Sequence, residues 1–246
     1  MLDHYEIVKF IASGGLGEVY HVIRKEDSKE GALKVFKNTD HKRSVFENEI
    51  KVMREMNHEL FVKYYDHSED EKSLYIFMEY VPGRDLFYEI VGRVKLNVKE
   101  ILKQVITGMM YIHENGYILM DLKVENLIHN SGKIKFIDFG AFSKIGSDFT
   151  HGSVDYLPPE YHNNELYLND VSIDLWCLGI LTYILLFKGA PFEQDSSKFL
   201  SKIKKASFSF PKEAKNDEKD FINKLLVLDR RQRMSLSEAL SHEFLQ

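Results

Sequence analysis

Asp121-Leu122-Lys123-Val124-Glu125-Asn126 is followed, twelve positions after Asn126, by Asp138-Phe139-Gly140. One short loop carries an acid, a lysine and an amide, and the next carries a second acid. Such a set can hold a hydroxyl nucleophile and Mg2+ against a nucleoside triphosphate. Carboxylate and amide oxygens are the donors that a hard cation requires.

The elements that must position these loops change character along the chain. Residues 5–37 read as a strand, a glycine turn and two more strands, the last on the apolar run 31–36. Phe46, Ile50, Met53 and Met56 recur at spacings of three and four, so 43–56 reads as an amphipathic helix. Segments 61–65 and 74–78 read as strands, with the charged stretch 68–72 as their hairpin loop. Pro82-Gly83 ends this half, and 79–83 reads as a linker. Beyond it the chain is mainly helical. Asn97 and Glu100 have capping-box spacing and Asn115-Gly116 supplies a stop. Between them Ile101, Val105, Met109 and Ile112 form one apolar stripe, read as core packing. There is no internal repeat and no low-complexity tract.

Bulk properties narrow the class. The 246 residues are 44% hydrophobic and 29% charged, an ordinary globular composition. That length allows one large domain or two small lobes and leaves no room for a further folded regulatory domain. A net charge of −5 gives no electrostatic reason to expect nucleic acid or an anionic membrane as partner. The one cysteine, Cys177, cannot form an internal disulfide, which suits a reducing compartment. No secretory leader is visible at the N-terminus. The apolar run 175–187 is too short to span a bilayer and reads as a buried helix.

With these motifs in this order, the chain resembles the catalytic domain of eukaryotic protein kinases nearly end to end. The resemblance implies an α+β, bilobal fold: a single domain over 1–246, with a β-rich N-lobe at about 1–78, a hinge at 79–83 and a helical C-lobe at about 84–246. Nucleotide is expected in the cleft between the lobes.

The resemblance also assigns roles. Ile11-Ala12-Ser13-Gly14-Gly15-Leu16-Gly17-Glu18-Val19 is similar to the glycine-rich loop over the ATP phosphates. Glycine permits positive φ and close approach of backbone amides to phosphate oxygens. Ala12 stands where the first glycine usually is. Lys34 resembles the strand lysine that pairs with the α and β phosphates, and Glu49, preferred over Glu47, its ion-pair partner. Met78 resembles the gatekeeper, and the Glu79 carbonyl and Val81 amide the hinge groups that hold adenine. Asp85 either lies near ribose and substrate or merely starts the helix near Leu86. Asp121 is the expected catalytic residue, orienting the substrate hydroxyl and accepting its proton. Lys123 would steady the developing charge on the phosphoryl group. Asn126 and Asp138 would hold Mg2+. Two further features are structural: Glu160 paired with Arg233, and Asp174 bracing the catalytic loop.

The chain departs from the family at Leu119-Met120, where His-Arg usually precedes the aspartate. Leu119 is expected to join Phe139, Met53 and Tyr64 in one apolar column. Met120 replaces the arginine that normally pairs with an activation-loop phosphate, and it has no fork of donors.

The expected activity is ATP- and Mg2+-dependent phosphoryl transfer to serine or threonine hydroxyls of protein substrates. Lys123 and Gly152-Ser153 resemble the serine/threonine type. Two alternatives are a pseudokinase acting as a nucleotide- or partner-binding scaffold, and a small-molecule kinase. The run 155–160 resembles Aurora kinases, while 81–86 resembles several other serine/threonine groups. An intracellular monomer is expected, in cytoplasm or nucleus, with no nucleic-acid or membrane partner.

Overall fold

The computed structural model describes residues 2–15, 17–148, 154–163, 168–192 and 198–246. They divide into two compact units, Met1–Gly83 with Lys135–Gly140, and Arg84–Ile134 with Ala141–Gln246. The class is α+β, as expected.

The first unit is built on five antiparallel strands: β1 (Tyr5–Ser13), β2 (Glu18–Arg24), β3 (Lys29–Lys37), β4 (Tyr64–Glu69) and β5 (Ser73–Met78). Their order is β1-β2-β3-β5-β4. Leu33, Phe36, Leu74, Ile76 and Phe77 are fully buried, so the two central strands carry the core. Helix α1 (Asp40–Glu55) joins this unit. It begins three residues before the expected 43, because Thr39 accepts a hydrogen bond from the Lys42 amide. Phe46, Ile50 and Met53 are buried as their spacing required.

Two sequence expectations need correction. The strand expected at 61–65 is β4, beginning only at Tyr64. Phe61 instead bridges Phe136, and the Val62 amide donates to the Phe136 carbonyl at 3.1 Å. Ser68 and Glu69 accordingly lie in β4, and the turn is shorter than 68–72. Asp70 holds it, with its Oδ1 accepting from the Lys72 and Ser73 amides at 2.9 Å each. Tyr64 also fails to take the apolar place assigned to it. Its hydroxyl lies 2.6 Å from His67 Nδ1, and the Arg54 guanidinium covers its ring. Phe61 is the ring that stands against Phe139, at 6.1 Å between centroids.

The second unit is mainly helical. The strand pair β6 (Arg84–Asp85) and β8 (Leu127–Asn130), together with β7 (Tyr117–Ile118) and β10 (Ser143–Lys144), frames its loops. Strand β9 (Lys133–Phe136) leads the chain into 135–140 of the first unit. Helix α2 (Leu86–Val91) is followed by α3 (Val98–Glu114), capped by Asn97, with Ile101, Val105, Met109 and Ile112 buried as one stripe. After the short α4 (Pro159–His162) comes α5 (Ser172–Phe187), buried along most of its length, which is why its sequence is apolar on every face. Trp176, Ile180 and Tyr183 of α5 pack with Phe192, Ile203, Ile222 and Leu226. The last two side chains belong to or adjoin α7 (Asn216–Leu225); α6 (Phe199–Lys204) and α8 (Leu236–Leu240) complete the unit.

Candidate active site

Lys34 sits on β3, and its ammonium meets three carboxylate oxygens. It lies 2.7 and 2.8 Å from the two Glu49 oxygens and 3.0 Å from Asp138 Oδ1. Glu49 is fully buried on α1, whereas Glu47 is exposed, so the helix face alone decides between them. Burial pushes Lys34 toward the neutral amine, but Asp138 and Glu49 more than reverse this and hold it above its ordinary value. The same burial lifts the Glu49 carboxyl above its usual range, with Lys34 opposing the rise. Both Glu49 oxygens face one ammonium, and that geometry is of an ion pair. Asp138 is oriented in turn by the Gly140 amide, which donates to its Oδ1 at 3.1 Å.

The glycine loop joins β1 to β2. Ile11, Ala12, Ser13, Gly14 and Gly15 are exposed, Glu18 lies in the exposed start of β2, and Val19 pairs with Lys34 across β2 and β3. Leu16 lies outside the described residues. The expected reason for the glycines, positive φ, does not hold among those described. Positive-φ glycines occur at 83, 116, 132 and 146. Gly17 has a different need: a Cβ there would lie 2.0 Å from the Val35 carbonyl oxygen. A Cβ on Gly14 or Gly15 would meet nothing within 4 Å.

Past the buried Met78, the Glu79 side chain is held by the Lys63 amide and Lys135 Nζ, both at 3.0 Å. Among the described residues no hydrogen bond occupies the Glu79 carbonyl or the Val81 amide. Asp85 caps α2, its Oδ1 accepting from the Tyr88 amide at 3.0 Å.

In the second unit Asp121, Lys123 and Asn126 close on one another. Lys123 Nζ lies 2.6 Å from Asp121 Oδ2. Asn126 Nδ2 donates to the Asp121 carbonyl at 2.9 Å and to Oδ2 at 3.2 Å. Asp121 Oδ1 is buried and has no hydrogen-bond partner among the described residues. Because the Asn126 nitrogen is committed to Asp121, its amide presents the oxygen elsewhere, as a cation ligand must. That oxygen is a donor of the kind Mg2+ takes, and the Asp138 carboxylate of the first unit is a donor of the same kind.

The loop is held from beneath. Asp174, fully buried on α5, accepts from the Leu119 amide at 2.9 Å and the Met120 amide at 3.0 Å. Met120 is buried with φ 65°, a left-handed conformation that its backbone keeps through this anchor. Sequence reasoning found Asp174 but missed His113, whose Nε2 lies 2.8 Å from Asp174 Oδ2. The two are 61 positions apart, so no local pattern links them. Glu160 meets Arg233 in two parallel bonds of 2.7 Å, and Arg233 also donates to the Ser172 carbonyl at 2.9 Å. Phe149, Thr150, Gly152 and Ser153 lie outside the described residues.

Residues 5–245 match the model of the protein kinase domain family. A probable myosin light chain kinase of Dictyostelium discoideum is 31% identical over 99% of this chain and 84% of its own length. An Aurora kinase of Encephalitozoon cuniculi is 32% identical over 99% of this chain and 94% of its own. Aurora kinase C of Mus musculus is 31% identical over 98% and 91%. The chain therefore belongs to the protein kinase domain family, and within it to the serine/threonine protein kinases with their bilobal α+β fold. Aurora and myosin light chain kinases stand at nearly equal identity, so the Aurora-like run at 155–160 does not select a subfamily. The family uses ATP and a divalent metal and acts on protein substrates. Among the described residues no helix is long and apolar enough to cross a membrane.

Proposed function

We infer that this chain transfers the γ-phosphoryl group of ATP to serine or threonine hydroxyls of proteins, with Asp121 as the residue that receives the hydroxyl proton. One observation carries the assignment. Asp121 has one carboxylate oxygen taken by Lys123 and Asn126, and the other buried and, among the described residues, unpartnered. A buried acceptor without a donor is costly unless a ligand supplies one. A substrate hydroxyl is such a donor.

The remaining roles follow from chemistry. Lys34, kept cationic by Glu49, binds phosphate oxygens. Gly14, Gly15 and Gly17, with their neighbours from Ile11 to Val19, bring backbone amides to the phosphates. The Glu79 carbonyl and Val81 amide bind the adenine edge. Asn126 and Asp138 supply oxygen ligands to Mg2+, which neutralises phosphate charge when bound. Lys123 faces the transferred group while orienting Asp121. The chain acts as one domain over 1–246, with a hinge at 79–83. An intracellular monomer remains the proposed state.

The scaffold alternative has no support in the site. It would require none of Lys34, Glu49, Asp121, Lys123, Asn126 and Asp138 to be retained, yet all are present. Transfer from radiolabelled ATP to a generic basic protein, with Asp121→Asn as control, tests the reading. Label on phosphoserine or phosphothreonine in the wild type, and none with the control, is expected. Label on phosphotyrosine alone, or equal label in both proteins, overturns it.

A further inference from the structure

Downstream of Asp138-Phe139-Gly140 the chain runs through β10, where Ser143 pairs with Ile118 and Lys144 with Tyr117. It then crosses the segment just before α5. The Gly146 amide donates to the Asn169 carbonyl, and the Asn169 amide to the Ser147 carbonyl, each at 2.8 Å. Gly146 adopts φ +80°, a turn conformation that suits glycine and aims its amide at Asn169. Asp148 bridges Leu168. At the centre is the Asn169 side chain, which is fully buried. Both of its amide hydrogens are used: Nδ2 donates to Ser147 Oγ and to the Asp148 carbonyl, each at 3.0 Å. Ser147 Oγ in turn donates to the Lys144 carbonyl at 2.7 Å.

Asn169 is thus tied to three consecutive residues, 146–148, through backbone and side chain. It stands five positions before Asp174, which grips the amides of Leu119 and Met120 next to Asp121. The start of α5 therefore fixes two things at once: the catalytic loop through Asp174, and the segment after Asp-Phe-Gly through Asn169. Asp170, between them, is itself committed. Its Oδ1 accepts from the Ser172 amide at 2.7 Å, and its Oδ2 from Arg230 at 2.5 Å. No charge is needed at the Asn169 joint. Burying an amide is tolerable only while its polar atoms are paired. Among the described residues Asn169 Oδ1 has no partner, so the two Nδ2 bonds must hold the side chain in place.

We propose that Asn169 is a positioning residue for phosphoryl transfer: with Ser147 it holds residues 143–148 in register with the catalytic loop by uncharged hydrogen bonds. The functional half of this rests on the kinase reading above. In most schemes for ordering such a segment, a phosphate and an arginine do this work. Here Met120 offers no donor fork, and the amide of Asn169 supplies the constraint.

The test uses full-length, phosphatase-treated protein carrying Asn169→Ala, Ser147→Ala or Ser147→Thr, with Leu168→Ala as the neighbouring control, since Leu168 is exposed. Amide hydrogen exchange of 143–148 and steady-state kinetics are measured together. Losing two hydrogen bonds should speed exchange in this segment by roughly 10-fold and lower kcat/KM for a peptide substrate by a similar factor. KM for ATP should stay within about twofold, because Lys34, Glu79, Val81 and the glycine loop, proposed to bind its phosphates and adenine, lie in the first unit; a general loss of structure would move both. Ser147→Ala should show a smaller effect in the same direction, and Ser147→Thr, which keeps the hydroxyl, should behave as wild type. Unchanged exchange in Asn169→Ala, or faster exchange with unchanged kcat/KM, overturns the proposal. If Asn169→Ala does not fold, the Ser147 pair decides: equal behaviour of Ala and Thr there overturns it. Asp121→Asn, which abolishes transfer on the kinase reading, should leave exchange of 143–148 unchanged, so failure of that reading appears in the control and not in the anchor.

Discussion

Lys123 Nζ lies 2.6 Å from Asp121 Oδ2, and the other oxygen of that carboxylate is buried without a partner among the described residues. The lysine engages Oδ2, which leaves Oδ1 as the acceptor proposed for the substrate hydroxyl. Asp121→Asn keeps the shape but removes the proton acceptor. The fold should stay intact, and turnover should fall on the order of 10²- to 10⁴-fold. Circular dichroism with a radiolabel transfer assay checks both halves. A variant keeping more than half of wild-type turnover would falsify the assignment.

Asp138→Ala should remove the Mg2+ dependence of nucleotide binding while leaving Lys34 paired with Glu49. The motivation is the carboxylate's place beside Lys34, where a phosphate-bound cation would need it. Calorimetric titration of ATP with and without Mg2+ reads the effect. If Mg2+ tightens binding equally in wild type and variant, Asp138 is not a metal ligand.

The sequence made the Lys34 site legible because each member sits in a short motif with its own local logic. Phe46, Ile50 and Met53 set the face of α1, and Glu49 is read over Glu47 from its eight-residue spacing to Asn57-His58, which resembles the family. Asp70, Thr39 and Phe61 show what local patterns leave out. Thr39 caps α1 before the apolar stripe begins, so periodicity started the helix late. Phe61 looks like a strand residue, yet its partner is Phe136, 75 positions away. His113 and Asn169 are invisible for the same reason. Each is an ordinary polar residue until the fold brings Asp174 or Ser147 to it.

The glycine loop offers a sharper contrast, because two of its glycines have different physical reasons to be there. A Cβ at 17 collides with the β3 backbone at Val35, which cannot swing aside as a side chain would. Gly17→Ala should cost about 1–3 kcal/mol, the scale of overpacking. Gly14→Ala points into open space and should change stability by less than about 0.5 kcal/mol. Urea denaturation of the nucleotide-free protein separates them. Equal losses at both positions would show that Gly17 is not a packing residue.

Glu160 and Arg233 form a buried, two-pronged ion pair, and breaking one side leaves the other charge stranded. Arg233→Met should destabilise the protein by about 3–5 kcal/mol. Replacing both, as Glu160→Leu with Arg233→Met, should cost much less than the sum of the single changes. A double-mutant cycle in denaturant measures the coupling. Additive single losses would mean that the pair contributes no mutual stabilisation.

Activity should not depend on phosphorylation of the loop between Asp138 and Glu160. A phosphate adds about −1.5 to −2 charges and orders a segment only where cationic donors receive it. Met120, in the usual arginine position, is buried and uncharged, and its backbone is already fixed by Asp174. Val45, four before Glu49, faces the core of the first unit and offers no contact. Arg43, a possible substitute, is engaged by Glu69 at 2.7 Å and Asn38 at 3.1 Å. Lys144 is exposed and sits 5.5 Å from the Tyr117 ring centre, so it is the cation best able to receive a phosphate. The family's common phosphosite position is Phe149 here, which cannot be modified, and Thr150 is one place late. Protein made in bacteria and stripped by phosphatase, with or without Thr150→Ala, should keep most of its wild-type rate. A tenfold or larger drop on dephosphorylation would reveal a phosphate pocket, and Lys144→Ala in the phosphorylated protein would then show whether that lysine forms it.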